Sequence, residues 1–327
     1  IKKSYFGKRY IFPKPPYLNV KFNGENAKIR FKGDYCRHIQ RKEWSFRYKS
    51  KEKNSWNNLK KINFHHPAER LDINEYVFIE FMKSQGLLAI DYNFSYVIIN
   101  DSVKRFYAYE EAIDKSFLKK RNLDGIIFRY DEAPFFNWMM YHTPESFPDS
   151  LINYFFNKSK LYNTNKTIKI NLELFNRGKS KIEKWRKGNI KTSEIFDLEK
   201  TAQFFAITDL WGATHGIGFN NIRLFYNIKT EKFEIIANDG ESRLNNKCLI
   251  EDKRDEIKLF FADNKFKERY FYYLKRYSSG HEMCLFLIKN IFDIKSKSKL
   301  IEENYPGSDN NLAYLHYNIQ KLNSFSN

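Results

Sequence analysis

Along the first third of the chain, apolar and polar residues change places at every second position. Tyr17-Leu-Asn-Val-Lys-Phe22 alternates, Asn23-Gly24 is the dipeptide of a two-residue hairpin turn, and Ala27-Lys-Ile-Arg-Phe-Lys32 resumes the alternation. Gly33-Asp34 breaks that strand. Glu43 to Lys49 alternates again, setting Trp44, Phe46 and Tyr48 on one face against Ser45, Arg47 and Lys49 on the other. Lys61 to His66 is a further extended run, closed by Pro67. Asp72-Ile-Asn-Glu75 has the spacing of a capping box with an acidic cap, ahead of a helix that carries Tyr76, Phe78, Ile79 and Met82 and stops at Gly86. Two more strands are expected, Asn93 to Ile99 and Arg105 to Tyr109, around a turn at Asn100-Asp101.

From Glu111 onward the period lengthens. Helices are expected over Asp114 to Lys120, Asp149 to Phe156 and Ser193 to Trp211, and again beyond Asp252. Within this half, Asn221 to Tyr226 and Lys232 to Ile236 read as a single hairpin. The pattern therefore predicts an α+β fold in two lobes. One is β-rich with one main helix (residues 1–110), and the other is mostly helical (residues 111–327). That division is the one found in a protein-kinase-like bilobal fold, which by itself licenses no function.

Composition narrows the class. The chain has 327 residues, 42% of them hydrophobic and 18% aromatic, which excludes a disordered polypeptide. No stretch approaches the 18 or so uncharged apolar residues of a membrane span. The first residues, Ile1-Lys2-Lys3, lack an initiating Met and a signal core, and point to a fragment of a longer polypeptide. Cys36, Cys248 and Cys284 are too far apart for a Cys-x-x-Cys site and odd in number. They fit a reducing compartment such as the cytoplasm, without identifying one. His65-His66 and His215 lack the spacing of a zinc site. The formal net charge of +18 makes nucleic acid or a phosphate-bearing ligand the partner to consider. The lysines, however, are spread along the chain, with denser runs at Lys49 to Lys53, Lys119 to Arg121 and Lys158 to Lys187. No nucleic-acid-binding motif accompanies them, and nucleic acid is not expected.

The densest chemistry lies in Asp209-Leu-Trp-Gly-Ala-Thr-His215, Asn220-Asn221 and Asn238-Asp239-Gly240-Glu241. A hairpin between Asn221 and Asp239 brings its two ends together. One carboxylate and one amide carbonyl are donors suited to a hard cation such as Mg2+, with phosphate oxygens completing its shell. Asp209, ahead of the hairpin, would accept or orient the proton of an attacking hydroxyl. Base, metal amide, strands and metal carboxylate followed by Gly is the order that phosphoryl transfer asks for. Each also has an ordinary structural reading: Asp209 as a helix-end residue, Asn221 as a turn residue, and Asp239-Gly240 as a hairpin turn.

These segments, with Arg30-Phe-Lys-Gly33, Trp44 to Lys49, Phe64-His-His-Pro67, Tyr107 to Lys115, Gly125 to Glu132 and Asn221-Ile-Arg-Leu-Phe-Tyr-Asn, resemble the spore-coat-protein-H-like (CotH) kinase family, an atypical branch of protein kinases. The resemblance runs from about residue 28 to about residue 243. It implies binding of ATP with Mg2+, Mn2+ being the alternative, and phosphoryl transfer to serine or threonine hydroxyls of a protein. Asp209 matches the family's catalytic-loop aspartate, Asn221 the asparagine that opens its hairpin, and Asp239 its metal-binding aspartate. Glu241 stands where the family often has a second aspartate, and Lys32 where it usually has Arg.

Around this centre, Lys32 with Gly33 would cover phosphate, and Arg47 or Lys49 would take the place of the kinase strand lysine. Glu75 either completes the capping box or pairs with one of those two cations, and Glu80 competes for the same pairing. Glu110-Glu111 falls at the interlobe hinge, with Glu111 placed beside the nucleotide. His215 and Asn220 are supporting residues, and Arg129, Asp131 and Glu132 are left without a role. The acceptor expected is a protein, acidic or already phosphorylated. Two other readings stand beside it: a pseudokinase that binds ATP without transfer, and a basic nucleic-acid-binding protein.

Overall fold

Asn23 and Gly24 both take positive φ, 49° and 81°, the left-handed pair that a two-residue hairpin turn requires. They join β1 (Leu18–Phe22) to β2 (Glu25–Phe31), with Phe22 opposite Glu25. Then follow β3 (Phe46–Ser50), β4 (Lys61–His65), β5 (Tyr92–Val97) and β6 (Arg105–Glu111). The six form one antiparallel sheet in the order β1-β2-β3-β4-β6-β5. The computed structural model describes residues 2–3, 10–11, 15–33, 38, 41–50, 56, 59–101, 104–142, 148–163, 171–244, 247–308 and 312–326. Asp34, Cys36, Lys51 to Lys53 and part of the basic stretch after Lys158 lie outside them.

The alternation read from the sequence decides what each face of the sheet meets. Phe46, Tyr48, Ile62, Phe64, Tyr107 and Tyr109 pack into a small cluster on one side, with Phe46 stacked on Phe64 at 4.8 Å. Arg47 and Asn63, one position out of phase, turn to the other side and line a cavity there. The sheet thus keeps a core of its own on one face and leaves charged groups on the other.

Helix α1 (Ile73–Ser84) has buried residues on every side, from Ile73 through Met82. It is anchored far along the chain. Phe81 packs on Trp211 (4.7 Å), Tyr277 (5.8 Å) and Phe286 (5.1 Å), and the Tyr76 hydroxyl donates to Asp293 Oδ2 at 2.5 Å. The larger hydrophobic cluster runs from Ile73 to Leu322 and takes in this helix. The expected capping box is not formed. Asp72 makes no side-chain cap hydrogen bond, because its own φ is +55° and the Glu75 carboxylate is used elsewhere.

The carboxyl half contains more strand than the pattern predicts. A four-stranded antiparallel sheet replaces the single hairpin, in the order β8 (Leu161–Asn163), β7 (Gly125–Tyr130), β9 (Leu224–Asn227), β10 (Phe233–Ile235). Ile126, Ile127 and Phe128 are all fully buried, so β7 shows no alternation and cannot be told from a helix segment by period. Gly125 is required where β7 meets β9, since a Cβ there would overlap the Tyr226 carbonyl oxygen. Helices surround this sheet: α2 (Lys115–Lys120), α3 (Ala133–Tyr141), α4 (Asp149–Lys158) and α5 (Asn171–Arg186) before it closes. The run expected from Ser193 to Trp211 is interrupted at Phe196-Asp197. Asp197 accepts the Lys200 N–H (3.1 Å) and starts the helix Leu198–Trp211 afresh. Asp255–Phe261, Asn264–Ser278, His281–Asn304 and Ala313–Ser326 are the later helices. No helix among the described residues is long and apolar enough to cross a membrane.

Phe81 is fully buried where α1 meets Trp211, whereas Phe292 is 87% exposed. Phe81→Ala should lower the unfolding free energy by about 3–5 kcal/mol, and Phe292→Ala by under ~0.5 kcal/mol. Denaturant unfolding of the two variants checks this; equal losses would refute the placement of α1 in the common core.

Candidate functional site

Between the charged face of the six-stranded sheet and the loops flanking β9 and β10 lies a cavity of about 490 Å³. That volume is within the ~300–1,000 Å³ usual for small-ligand sites. Its sheet wall is a single cross-strand row. Arg30 lies opposite Arg47, Arg47 opposite Asn63, and Asn63 opposite Glu110. Arg47 Nε donates to Asn63 Oδ1 (2.6 Å), and Asn63 Nδ2 donates to Glu110 Oε1 (2.9 Å). Lys32, at the end of β2, forms an ion pair with Glu110. Two guanidinium groups facing each other across neighbouring strands repel, so the Arg30–Arg47 pair costs stability that a bound anion would offset. Gly33 follows with φ +100°, pressed so close to His38 that a side chain would not fit.

The opposite wall is built by two short segments that hold each other. Pro67–Arg70 is a 3-10 turn whose N-cap is His66, the imidazole Nδ1 accepting the Ala68 N–H at 3.1 Å. The turn delivers Arg70 into the cavity. Arg70 Nε lies 3.0 Å from Asp239 Oδ1 and 3.9 Å from Glu110 Oε2, and Nη1 lies 3.5 Å from Glu241 Oε1. One turn into α1, the Glu75 carboxylate accepts the N–H groups of Gly240 (3.1 Å) and Glu241 (3.0 Å). Asp239 and Glu241 both sit at left-handed φ, 52° and 49°, and Leu71 and Asp72 at 56° and 55°. Non-glycine residues hold such conformations only when their surroundings over-determine them. Gly216 completes the fit, since a Cβ there would overlap the Asn238 carbonyl oxygen. His215 Nε2 lies 3.7 Å from both Asp239 Oδ1 and Glu241 Oε1.

Burial and charge set the protonation states. Burial works to raise Asp239, but Arg70 and then His215 hold it below the ordinary carboxylate value. Burial likewise opposes ionisation of Glu110, and Lys32 and Arg70 overcome it, keeping this group strongly acidic. Lys32 is pulled down from the ordinary lysine value by burial, with Glu110 opposing and Arg70 adding to the effect. Burial would lower Arg70, yet Asp239, Glu110 and Glu241 together raise it. Arg47 and Arg223 are both lowered by burial, and repulsion adds to it: from Arg30 on Arg47, and from Arg129 on Arg223.

The expected residues divide into those the fold brings together and those it does not. Lys32, Arg47, Glu111, His215, Asn220, Asn221 and Asp239 line the cavity, and Glu241 adjoins it through Arg70 and His215. Asn221 Nδ2 donates to the His215 carbonyl oxygen (3.2 Å), so the amide braces the residue that faces the acids. Lys49 is corrected: it is exposed, opposite Lys28 and Lys61, and does not line the cavity, which leaves Arg47. Glu75 pairs with neither Arg47 nor Lys49 and instead fastens the Gly240-Glu241 backbone. Glu111 turns its carboxylate to Arg121 (3.1 and 2.7 Å) and to the Asp91 N–H, and Glu110 is the residue that faces Lys32. Asp209 is also corrected. It is fully buried, accepts the Leu249 N–H at 3.0 and 3.1 Å and the Tyr270 hydroxyl, and is not among the residues lining the cavity. Arg30, Asn63 and Arg70 also line the cavity without having been expected there, and Glu110 was expected only at the hinge beside Glu111. Only Arg30 and Asn63 left a signal, their alternation in step with Arg47 and Glu110 across adjoining strands.

The donor set can be tested for a cation. His215, Asp239 and Glu241 place three ligand atoms within 4.8 Å of one another. Carboxylate oxygens suit Mg2+, and an added imidazole nitrogen suits Mn2+ at least as well. The residues fit one divalent ion.

The profile of the CotH kinase protein family matches residues 29–315, nearly the whole chain. The chain belongs to that family. Among curated proteins, none matches it.

Asp209→Asn should lower the unfolding free energy by about 2 kcal/mol, since a charged acceptor of two buried hydrogen bonds is lost. Unchanged stability in denaturant unfolding would contradict the structural role. A second expectation concerns pH. Burial, then Arg41, depress His66 from 6.5 to about 4. Below pH 6.5 the unfolded chain takes up a proton that folded His66 refuses. Its contribution is therefore present above pH 6.5 and lost as pH falls toward 4. Between pH 7.5 and 5, wild type should lose about 1–2 kcal/mol more than His66→Gln; equal losses would show that His66 titrates normally.

Proposed function

We propose that the chain transfers the γ-phosphoryl group of ATP to serine or threonine hydroxyls of a protein, with Mg2+ or Mn2+. One observation carries this reading: the cation–carboxylate network Lys32–Glu110–Arg70–Asp239–Glu241 in the wall of a cavity of nucleotide-compatible size. We read that cavity as the cleft of one bilobal domain, with lobes at residues 1–110 and 111–327. The apolar side chains of Ile90, just before β5, and of Ala112 and Ile113, just after β6, suit a base ring. Lys32, Arg47 and Arg30 would meet the phosphates, and Asp239, Glu241 and His215 would hold the ion. When bound, the ion supplies charge neutralisation to the transferring phosphoryl group. The loose transition state of such a transfer asks little of a base. That is consistent with the withdrawal of Asp209 from the cavity. Asn220, Arg129, Arg223 and Glu132 face the remaining side, where an acidic or phosphorylated acceptor would find two guanidinium groups.

The burial of Asp209 also favours a second reading, a pseudokinase that binds the nucleotide and does not turn it over. Incubation with γ-labelled and, separately, α-labelled ATP, with Mg2+ and a serine-rich acceptor, separates these. Transfer of γ label only, lost in Asp239→Asn, is the expected result. Label from the α position would make it a nucleotidyl transferase. ATP binding without label would favour the second reading, and absence of binding would sink both.

A further inference from the structure

Two acids that flank a nucleotide's phosphates commonly share two metal ions, and neutralising four negative phosphate charges is the reason. Here a protein cation already stands against both acids. Arg70 is held against Asp239 and Glu241 at the same time, at 3.0 and 3.5 Å, and also lies 3.9 Å from Glu110. Its side chain is only 8% exposed, and it lines the cavity. It is not a mobile surface cation that happens to fall there. The 3-10 turn that carries it begins on the His66 cap and ends on the left-handed Leu71 and Asp72. Its Nη1 also donates to the Glu69 carbonyl oxygen at 3.2 Å.

We propose that the Arg70 guanidinium is a fixed replacement for one of two metal ions, so that this site takes a single divalent cation. Oxygen counting supports it. Asp239 and Glu241 offer four carboxylate oxygens, and Arg70 and His215 approach the same one of each acid, Asp239 Oδ1 and Glu241 Oε1. Two ions about 3.5–4 Å apart need bridging carboxylates on both sides. With a unit positive charge built in between the acids, the field left over is enough for one. The planar fork of Arg suits this place, since it reaches two carboxylates at once, whereas Lys reaches one as a point charge.

The inference rests on the nucleotide reading of the cavity, but its test does not need transfer. Mn2+ binding is counted by the electron paramagnetic resonance signal of the free ion, in the presence of a non-hydrolysable ATP analogue. The analogue's own Mn2+ binding is subtracted. Wild type should bind one Mn2+ per chain. Arg70→Gln removes the built-in charge, and should bind a second Mn2+ or hold the first at least about tenfold more tightly. Arg70→Lys keeps the charge and should stay at one. Two ions in wild type would overturn the proposal, as would an Arg70→Gln variant, folded by circular dichroism, with unchanged count and affinity. The wild-type count decides even if Arg70→Gln does not fold. One bound ion with no γ label transferred would refute the kinase reading while leaving this one standing.

Discussion

Residues 66–75 and 239–241 hold one another through side chain and backbone at once, and the rest of the site is arranged around that clasp. Arg70 takes the carboxylates of Asp239 and Glu241, while Glu75 takes the N–H groups of Gly240 and Glu241. The loop therefore presents its acids outward and has its backbone donors satisfied from behind. Four left-handed non-glycine residues, Leu71, Asp72, Asp239 and Glu241, fall within these two short segments. Strain of about 1–3 kcal/mol per such residue is held only by contacts that leave no alternative. Burying a lone charge would be prohibitive, but here each charge has an opposite within reach, and the network exists only as a whole.

Much of the amino-half sheet was legible because it obeys period two and turns on Asn23-Gly24. Arg47 and Lys49 could not be separated from sequence, since both point to the same side of β3. They differ only in position along β3, and of the two only Arg47 lines the cavity. The carboxyl-half sheet was half legible. β9 and β10 announce themselves by a tight turn, whereas Ile126-Ile127-Phe128 in β7, buried on both faces, carries no period to read. That Asn221 and Asp239 would lie close together could be read from spacing, because a hairpin joins its own ends, and both line the cavity with His215. Asp209 was misplaced for the complementary reason. Its neighbours on the chain enter the site, but a residue at a helix end can point to either side, and Tyr270 and the Leu249 N–H draw it inward. Arg70 had no local signal, as Glu110 follows it by 40 positions and Asp239 and Glu241 by about 170.

Charge, too, looks different in three dimensions. The excess of 18 positive charges appeared evenly scattered, yet Arg30, Lys32, Arg47, Lys61, Arg70, Arg129 and Arg223 all face one cavity. Several carboxylates are interleaved with them, and burial lowers both Arg47 and Arg223, with repulsion from Arg30 and Arg129 adding to it. Like charges gathered in this way cost stability wherever no opposite charge offsets them.

Helix α1 belongs to the common core, with Phe78 and Phe81 against Trp211 and Tyr76 tied to Asp293. In kinases that are switched by displacing the corresponding helix, the glutamate it carries swings in and out of register. A helix buried on every side cannot swing without opening the interior on which folding depends. Glu75 therefore has one position for as long as the chain is folded, and the Gly240-Glu241 backbone stays where Glu75 holds it. Moving Glu75 would mean opening that interior, so the loop at residues 239–241 is held as firmly as the core itself.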